Sequence, residues 1–359
     1  MDIIAASRSY EKWLGGRTRL VAPDLRLKHQ FMTAAVFPFL RATFYRWLQV
    51  WEEVCPKAAA APRVLAVGDL HVENFGTWRD IEGRLIWGIN DFDEVSHMPY
   101  TIDLVRLTAS ALLAADVEHL GLKPRLIADC IEEGYRESIA AGGRAFVLSD
   151  RSGWLRRVAM QQIAEGPGFW EKLRSCTSVD SKLVPAAARR GIERAMPEKK
   201  LKYGYARRGA GLGSRGHQRY VSVVNWHGGL LAREAKALVP AAAVWLRHHS
   251  GSGPILYAEV LRRAVRCPDP HFRVDGHWIV RRLSPSCKKI NIGELPEKRN
   301  EERLLYSMGA ETANVHLGTA NARAAIRRDL ARRPADWLLA AARAMVKSVR
   351  RDWKTWKKA

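Results

Sequence analysis

Two short apolar runs that each empty into an acidic loop constrain this chain more than anything else in it. Val64 to Val67 reads as a strand and passes directly into Gly68-Asp69-Leu70-His71-Val72-Glu73-Asn74. A second strand, Arg84 to Ile89, ends at Asn90-Asp91-Phe92-Asp93-Glu94. Loops at strand ends are held by the sheet while their side chains stay accessible. The chain must therefore build a sheet that presents carboxylates at the ends of its strands. Residues 1 to about 60 read as helical, with Phe31, Val36, Phe39 and Leu40 at helix-like spacing, and the Ala/Pro stretch from Lys57 to Pro62 ends that block. A strongly apolar helix follows from Ile102 to Ala115, with interrupted helical periodicity to about residue 200.

The second half changes character. Gly- and Arg-rich sequence leads to Tyr220–Val224, the turn His227-Gly228-Gly229 and Leu230–Ala235, which reads as a hairpin. A helix at Leu256–Val265, a strand at Trp278–Leu283 and two basic helices, at about Glu301–Gly318 and Pro334–Trp356, complete an α+β chain. With 359 residues, 47% of them hydrophobic, it can bury a sizeable core. No run of about 18 uncharged apolar residues occurs, and five scattered cysteines without a CxxC pair suggest neither a disulfide framework nor a structural zinc site. The expectation is a cytoplasmic protein with no transmembrane segment. Its net charge of +22 should attract polyanions, nucleotides and nucleic acid among them, without choosing between them.

Asp69 and Asn74 stand five positions apart on one loop, where a carboxylate and an amide oxygen can reach the same small volume. In phosphoryl transfer the carboxylate orients the attacking hydroxyl and takes its proton, while the amide helps to hold Mg²⁺. Asp91 would be the second ligand, since Mg²⁺ prefers oxygen donors and uses few protein carboxylates. Asp93, two residues on, would face the same way and serve a second ion. His71 has two readings, a catalytic one and a loop-orienting one.

These residues carry a resemblance. The run from Gly68 to Asn74, then Ile89 to Glu94, then Ile102-Asp103-Leu104, resembles the catalytic segment of the aminoglycoside and choline phosphotransferase branch of the kinase-like superfamily. More closely, about Phe31 to Ala115 resembles the bacterial family DUF2252, with its GD-x-H-x-x-NFG and NDFDE pair. The resemblance implies Asp69 as the catalytic base, Asn74 and Asp91 as metal ligands, Asp103 as a buried brace for the loop, and ATP with Mg²⁺ as cofactors. Val67 departs from the pattern, because many phosphotransferases carry a histidine there.

A kinase needs a nucleotide grip, and Gly211, Gly213, Ser214 and Gly216 supply a G-x-G-x-x-G loop followed by a strand. Glycines let backbone amides approach phosphates, and protein kinases place such a loop between two strands. On the next strand either Arg233 or Lys236 could pair with the phosphates, and alternation sets Glu234 and Lys236 on one side with Arg233 on the other. Glu259, on the following helix, has two readings: an anchor for that cation or a solvent-facing residue.

The order is reversed from ordinary kinases, with Asp69 about 140 residues before Gly211. The expectation is therefore a two-lobed, protein-kinase-like fold in circularly permuted order. Residues 1–200 would form a helix-rich catalytic lobe, 201–290 a small β-rich nucleotide lobe, and 291–359 basic helices packing back on the catalytic lobe. The function expected is ATP- and Mg²⁺-dependent phosphotransfer to an unknown hydroxyl or amine acceptor, small molecule or protein. The alternatives are a non-catalytic nucleotide- or nucleic-acid-binding protein on the same scaffold and, ranked lower, a metallophosphoesterase. The basic helix near the C-terminus reads either as a face for anionic lipid or nucleic acid or as one packed on its own domain.

Overall fold

The computed structural model describes residues 1–118, 122–149, 152–163, 167–209, 211–247, 253–290 and 300–359. Helices and strands are mixed, so the chain is α+β. The strands are β1 (Arg63–Ala66), β2 (Phe75–Arg79), β3 (Leu85–Ile89), β4 (Ser96–Pro99), β5 (Phe146–Val147), β6 (Thr177–Val179), β7 (Tyr205–Arg207), β8 (Arg219–Trp226), β9 (Gly229–Ala237), β10 (Arg273–Asp275) and β11 (Trp278–Leu283). They form an antiparallel six-stranded sheet in the order β10-β11-β9-β8-β7-β6, a three-stranded sheet β2-β3-β5 and a two-stranded ladder β1-β4.

The β8–β9 hairpin forms where the sequence places it, because His227 and Gly228 both adopt positive φ, 48° and 80°, as a two-residue turn of matching twist requires. The large sheet reaches further upstream than expected. Strand β6 pairs with β7, and the helix Ala186–Ala195 packs on β9 and β11. A boundary at residue 200 therefore falls inside this unit. Short strands such as β5 and β6 carry too few residues to break a helical pattern in the sequence. The segment after β11 crosses to the three-stranded sheet, where Thr77 N donates to the Lys288 carbonyl at 2.8 Å and Gly76 bridges Lys289.

The helical part is organised around Thr101–Glu118, which is buried along nearly its whole described length, as a helix apolar on all sides must be. The helix Trp337–Lys358 lies along it and along the N-terminal helices. Arg46 Nε pairs with Asp352 at 2.8 Å, and the indoles of Trp353 and Trp356 donate to the Met32 carbonyl and Thr33 Oγ1. The apolar face of that helix is thus covered by the protein's own helices, while Arg343, Lys347, Arg350 and Lys354 stay exposed. No helix among the described residues is long and apolar enough to cross a membrane.

Helices Pro124–Ala141 and Asn300–His316 make the most extensive helix contact in the fold. They approach so closely that a Cβ on Gly134 would overlap the Tyr306 carbonyl oxygen, and one on Gly309 that of Ile131. Both glycines are needed for space rather than for backbone freedom. Gly134→Ala and Gly309→Ala should each cost about 1–3 kcal/mol through forced separation of the helices. Chemical denaturation measures this, and wild-type stability in both variants would show the crossing to be looser than described.

Candidate active site

The first acidic loop is set by a carboxylate that never touches solvent. Asp103, in the first turn of Thr101–Glu118, accepts from Val67 N at 2.6 Å and from Gly68 N at 2.8 Å. His316 Nε2 lies 2.8 Å from the same carboxylate, and Tyr135 Oη 2.9 Å from His316 Nδ1. All three side chains are fully buried. Gly68 has φ +87°, and a Cβ there would come within 2.5 Å of the Glu94 carbonyl oxygen, so the two acidic loops meet where only glycine fits.

This turn delivers Asp69 to Arg106, which stands three residues after Asp103 on the same helix. Arg106 Nε donates to Asp69 Oδ1 at 2.9 Å, Nη2 donates to the same atom, and Nη2 also reaches the Leu40 carbonyl at 2.8 Å. The guanidinium is 1% exposed and lies 4.9 Å from the rings of both Phe44 and Trp47. Burial lifts the Asp69 carboxyl above its ordinary range, while Arg106 and Arg41 pull it back. His71 caps the turn that follows: its Nδ1 accepts from Glu73 N at 3.2 Å, and its Nε2 lies 3.4 Å from Arg41 Nε. Burial and neighbouring cations hold its pKa well below the usual histidine value, so it is neutral. Asn74 Oδ1 accepts from His71 N at 2.8 Å, completing the cap.

Asn90 N donates to the Asn74 carbonyl at 3.0 Å and so stitches the second loop to the first. Asp91 and Asp93 face one ammonium, that of Lys236 on β9, with Asp93 in direct contact and Asp91 Oδ1 at 3.6 Å. Burial opposes ionisation of both carboxyls. For Asp91 the cations Lys236, Arg281 and Lys289 outweigh it and lower the pKa, whereas Asp93, repelled by Asp91, is raised. Asp93 Oδ1 is buried without a hydrogen-bond partner, an acceptor still open for a ligand.

The glycine loop lies between β7 and β8, which pair antiparallel; Ala210, within it, lies outside the described residues. Leu212 packs into the main hydrophobic core, Lys28 Nζ donates to the Gly213 carbonyl at 3.3 Å, and Val21 N donates to the Gly216 carbonyl at 2.8 Å. A Cβ on Gly213 would stand 3.2 Å from Asp69 Oδ2. The loop is tied to the sheet by Arg219, whose Nη2 donates to Ser214 Oγ at 2.9 Å and whose Nη1 meets Glu234 at 3.3 Å. Arg208 and Arg281 complete the shell around Glu234 at 2.5 and 2.8 Å.

One cleft thus brings together Asp69, His71, Asn74, Asp91 and Asp93 with Gly211, Gly213 and Ser214. Lys236 and Asp103 stand behind its lining, in contact with the acidic loops, whereas Gly216, Arg233 and Glu259 stand apart from it. Gly216 turns away at φ +101° against Leu25. Arg233 points through the other face of the sheet, with Nε on the Ala195 carbonyl at 2.7 Å, so Lys236 is the strand cation directed at the acidic loops. Glu259 pairs with Arg263 one turn along its own helix, Tyr257–Arg263, and not with Lys236. That helix turns Tyr257 and Val260 inward, which leaves Glu259 off the facing side. The anchors of Lys236 are Asp93 and Asp91 instead. Arg41, Lys289, Lys28, Arg106 and the aromatic lining of Tyr10, Phe44 and Tyr45 were not foreseen. Only Arg106 carried a local signal, its i, i+3 relation to Asp103.

Glu234 provides a test of this architecture. Burial opposes its charge, but Arg281, Arg219 and Arg208 together pull its pKa well below the ordinary range. A depressed carboxyl adds stability that is complete above the unfolded pKa of about 4.3 and disappears as pH falls through the folded value. Glu234→Gln should destabilise the fold at neutral pH by about 3–5 kcal/mol, because three guanidinia lose their counter-charge. The gap between wild type and variant in denaturant titrations should narrow as pH drops below about 4.

Residues 19–166 match the model of a family described as "Uncharacterized protein conserved in bacteria (DUF2252)". No curated protein and no solved structure matches the chain. The matched stretch holds both acidic loops and the bracing helix, while the glycine loop and Lys236 lie beyond it. Over that stretch, less than half of its length, the chain is similar to the DUF2252 family.

Proposed function

We propose that the protein is an ATP- and Mg²⁺-dependent phosphotransferase with a two-lobed, kinase-like and circularly permuted fold. The observation that carries this reading is the approach of the glycine loop to the acidic loops, with Gly213 beside Asp69 although about 140 residues separate them in sequence. Three further features agree with it. The loop lies between paired strands, the next strand aims Lys236 at Asp91 and Asp93, and Asp103 braces the turn before Asp69. The helix Asn300–His316 ends beside β1, where Leu65 N donates to Thr319 Oγ1 at 2.8 Å. In an unpermuted chain that helix would lead into the catalytic loop.

The donor set suits Mg²⁺. No three His, Cys, Asp or Glu side chains among the described residues form a metal-holding group, but Mg²⁺ is commonly held by one or two carboxylates together with substrate phosphates and water. Asp91 is the accessible carboxylate, at 42% exposure, with Asp93 and the Asn74 amide behind it. Bound there, the ion would neutralise charge on the phosphates. Asp69 would orient the acceptor hydroxyl or amine and accept its proton as the acceptor–phosphorus bond forms and the bond to the departing diphosphate breaks. A carboxyl raised by burial is the better base near neutral pH, and Arg106 holds it in one orientation. Backbone amides of Gly211 to Ser214 would contact the phosphates.

Asp69→Asn, with thermal melting to check the fold because buried Arg106 loses its counter-charge, should lower ATP turnover by at least about a thousandfold while nucleotide affinity changes little, since the general base is removed and the phosphate-binding groups remain. Release of ADP in the presence of candidate acceptors measures the first, and calorimetry the second. Undiminished turnover in the variant would remove Asp69 from the chemistry, and nucleotide binding without turnover in the wild type would favour a non-catalytic nucleotide-binding protein.

A further inference from the structure

Most of the cations around the cleft are already committed. Lys236 is 5% exposed and lies against Asp93 and Asp91. Arg208, Arg219 and Arg281 surround Glu234, Arg106 holds Asp69, and Lys28 is buried beneath the Gly213 carbonyl. Arg41 and Lys289 are different, because both line the open cleft beside Asn74 and Asp91.

These two side chains come from unrelated parts of the chain and converge on one oxygen. Arg41 lies in the last turn of the helix Val36–Ala42, with its guanidinium 5.7 Å from the Phe37 ring. Lys289 is placed by the bridge of its backbone to Gly76. Arg41 Nη1 lies 2.9 Å and Lys289 Nζ 3.7 Å from Glu73 Oε2. Two cations sharing one carboxylate leave one positive charge over at the edge of the cleft. Both cations line the open cleft and share that one carboxylate, so a further negative charge at this point would be welcome. Glu73 is 31% exposed and can rotate away into water without leaving a buried charge unpaired.

We propose that Arg41 and Lys289 form a phosphate subsite at the mouth of the cleft, and that Glu73 is an internal anion displaced when phosphate enters. The terminal phosphoryl group of a polyphosphate chain fits, since a guanidinium and an ammonium together can donate to several of its oxygens. This identification of the anion rests on the phosphotransferase reading. The geometry of the two cations does not.

The test is calorimetric titration of the full chain with inorganic tripolyphosphate, without metal, at about 0.15 M ionic strength, where long-range attraction is largely screened. Arg41→Gln and Lys289→Met should each bind about tenfold more weakly, as expected for loss of one charge-assisted hydrogen bond. Glu73→Gln should bind several-fold more tightly. Lys347→Gln, on a distant exposed surface, should match the wild type. Arg41 also packs on Phe37, so its variant is checked by thermal melting; Lys289, at 43% exposure, carries the conclusion should that variant be unstable. Wild-type binding in Lys289→Met, together with loss in Lys236→Met, would overturn the subsite and leave the phosphotransferase reading standing. Equal loss in Lys347→Gln would assign the binding to overall charge and also overturn it. No saturable binding by the wild type would overturn subsite and reading together.

Discussion

The structure depends on one buried carboxylate more than on any other group. Asp103 takes the two backbone N–H groups that follow β1, and without it both donors would be buried and unsatisfied at the point where the chain turns toward solvent. Its second role is long-range. His316 and Tyr135 bring the helices Asn300–His316 and Pro124–Ala141 to the same carboxylate, and those helices are locked by the crossing at Gly134 and Gly309. The position of Asp69 is therefore fixed by contacts from three helices, two consecutive and the third, Asn300–His316, more than 150 residues further along the chain. A buried network of this kind, with each member satisfied, specifies one arrangement more sharply than apolar packing alone.

Two arginine–carboxylate systems then place the halves of the cleft. Arg106 holds Asp69 from the helical side, and the three guanidinia around Glu234 hold the glycine loop from the sheet side through Arg219 and Ser214. Both are buried pairs, whose desolvation cost is offset only when the hydrogen-bonding geometry is complete. That makes them poor sources of net stability and good sources of orientation. Breaking either leaves an uncompensated charge beside the cleft, so the site and the fold around it are energetically coupled.

The sequence made the local parts of this legible. Strand-then-carboxylate patterns located Asp69, Asn74, Asp91 and Asp93, and strand alternation separated Lys236 from Arg233, because both rest on periodicities that the backbone enforces. The β8–β9 hairpin was readable from His227-Gly228-Gly229 for the same reason. Of the two readings open for Glu259, the anchor for Lys236 fails and the outward-facing one holds, a choice the sequence could not make because helix phase against a neighbouring sheet depends on which residues that helix buries. Strands β5 and β6 were invisible because two or three residues leave no period to detect. Arg41 and Lys289 could not be found at all. They meet over Glu73 only through tertiary packing, with Arg41 on an N-terminal helix and Lys289 on a connection nearly 250 residues later.

The net charge of +22 is the most conspicuous number in the sequence, yet the cleft does not express it. Arg106 meets Asp69, Lys236 meets Asp91 and Asp93, and Arg41 and Lys289 meet Glu73, so most charges lining the cleft have a counter-charge within it. The surplus sits on exposed surface such as Arg343, Lys347, Arg350 and Lys354 of the helix near the C-terminus, whose apolar face is already covered. Charge there raises the encounter rate with any polyanion and falls away with salt. Selectivity must come instead from the small imbalances inside, where one oxygen of Asp93 lacks a partner and two cations share the single carboxylate of Glu73. In a cleft whose other charges are satisfied, those two places are where an incoming anion or cation gains most by binding.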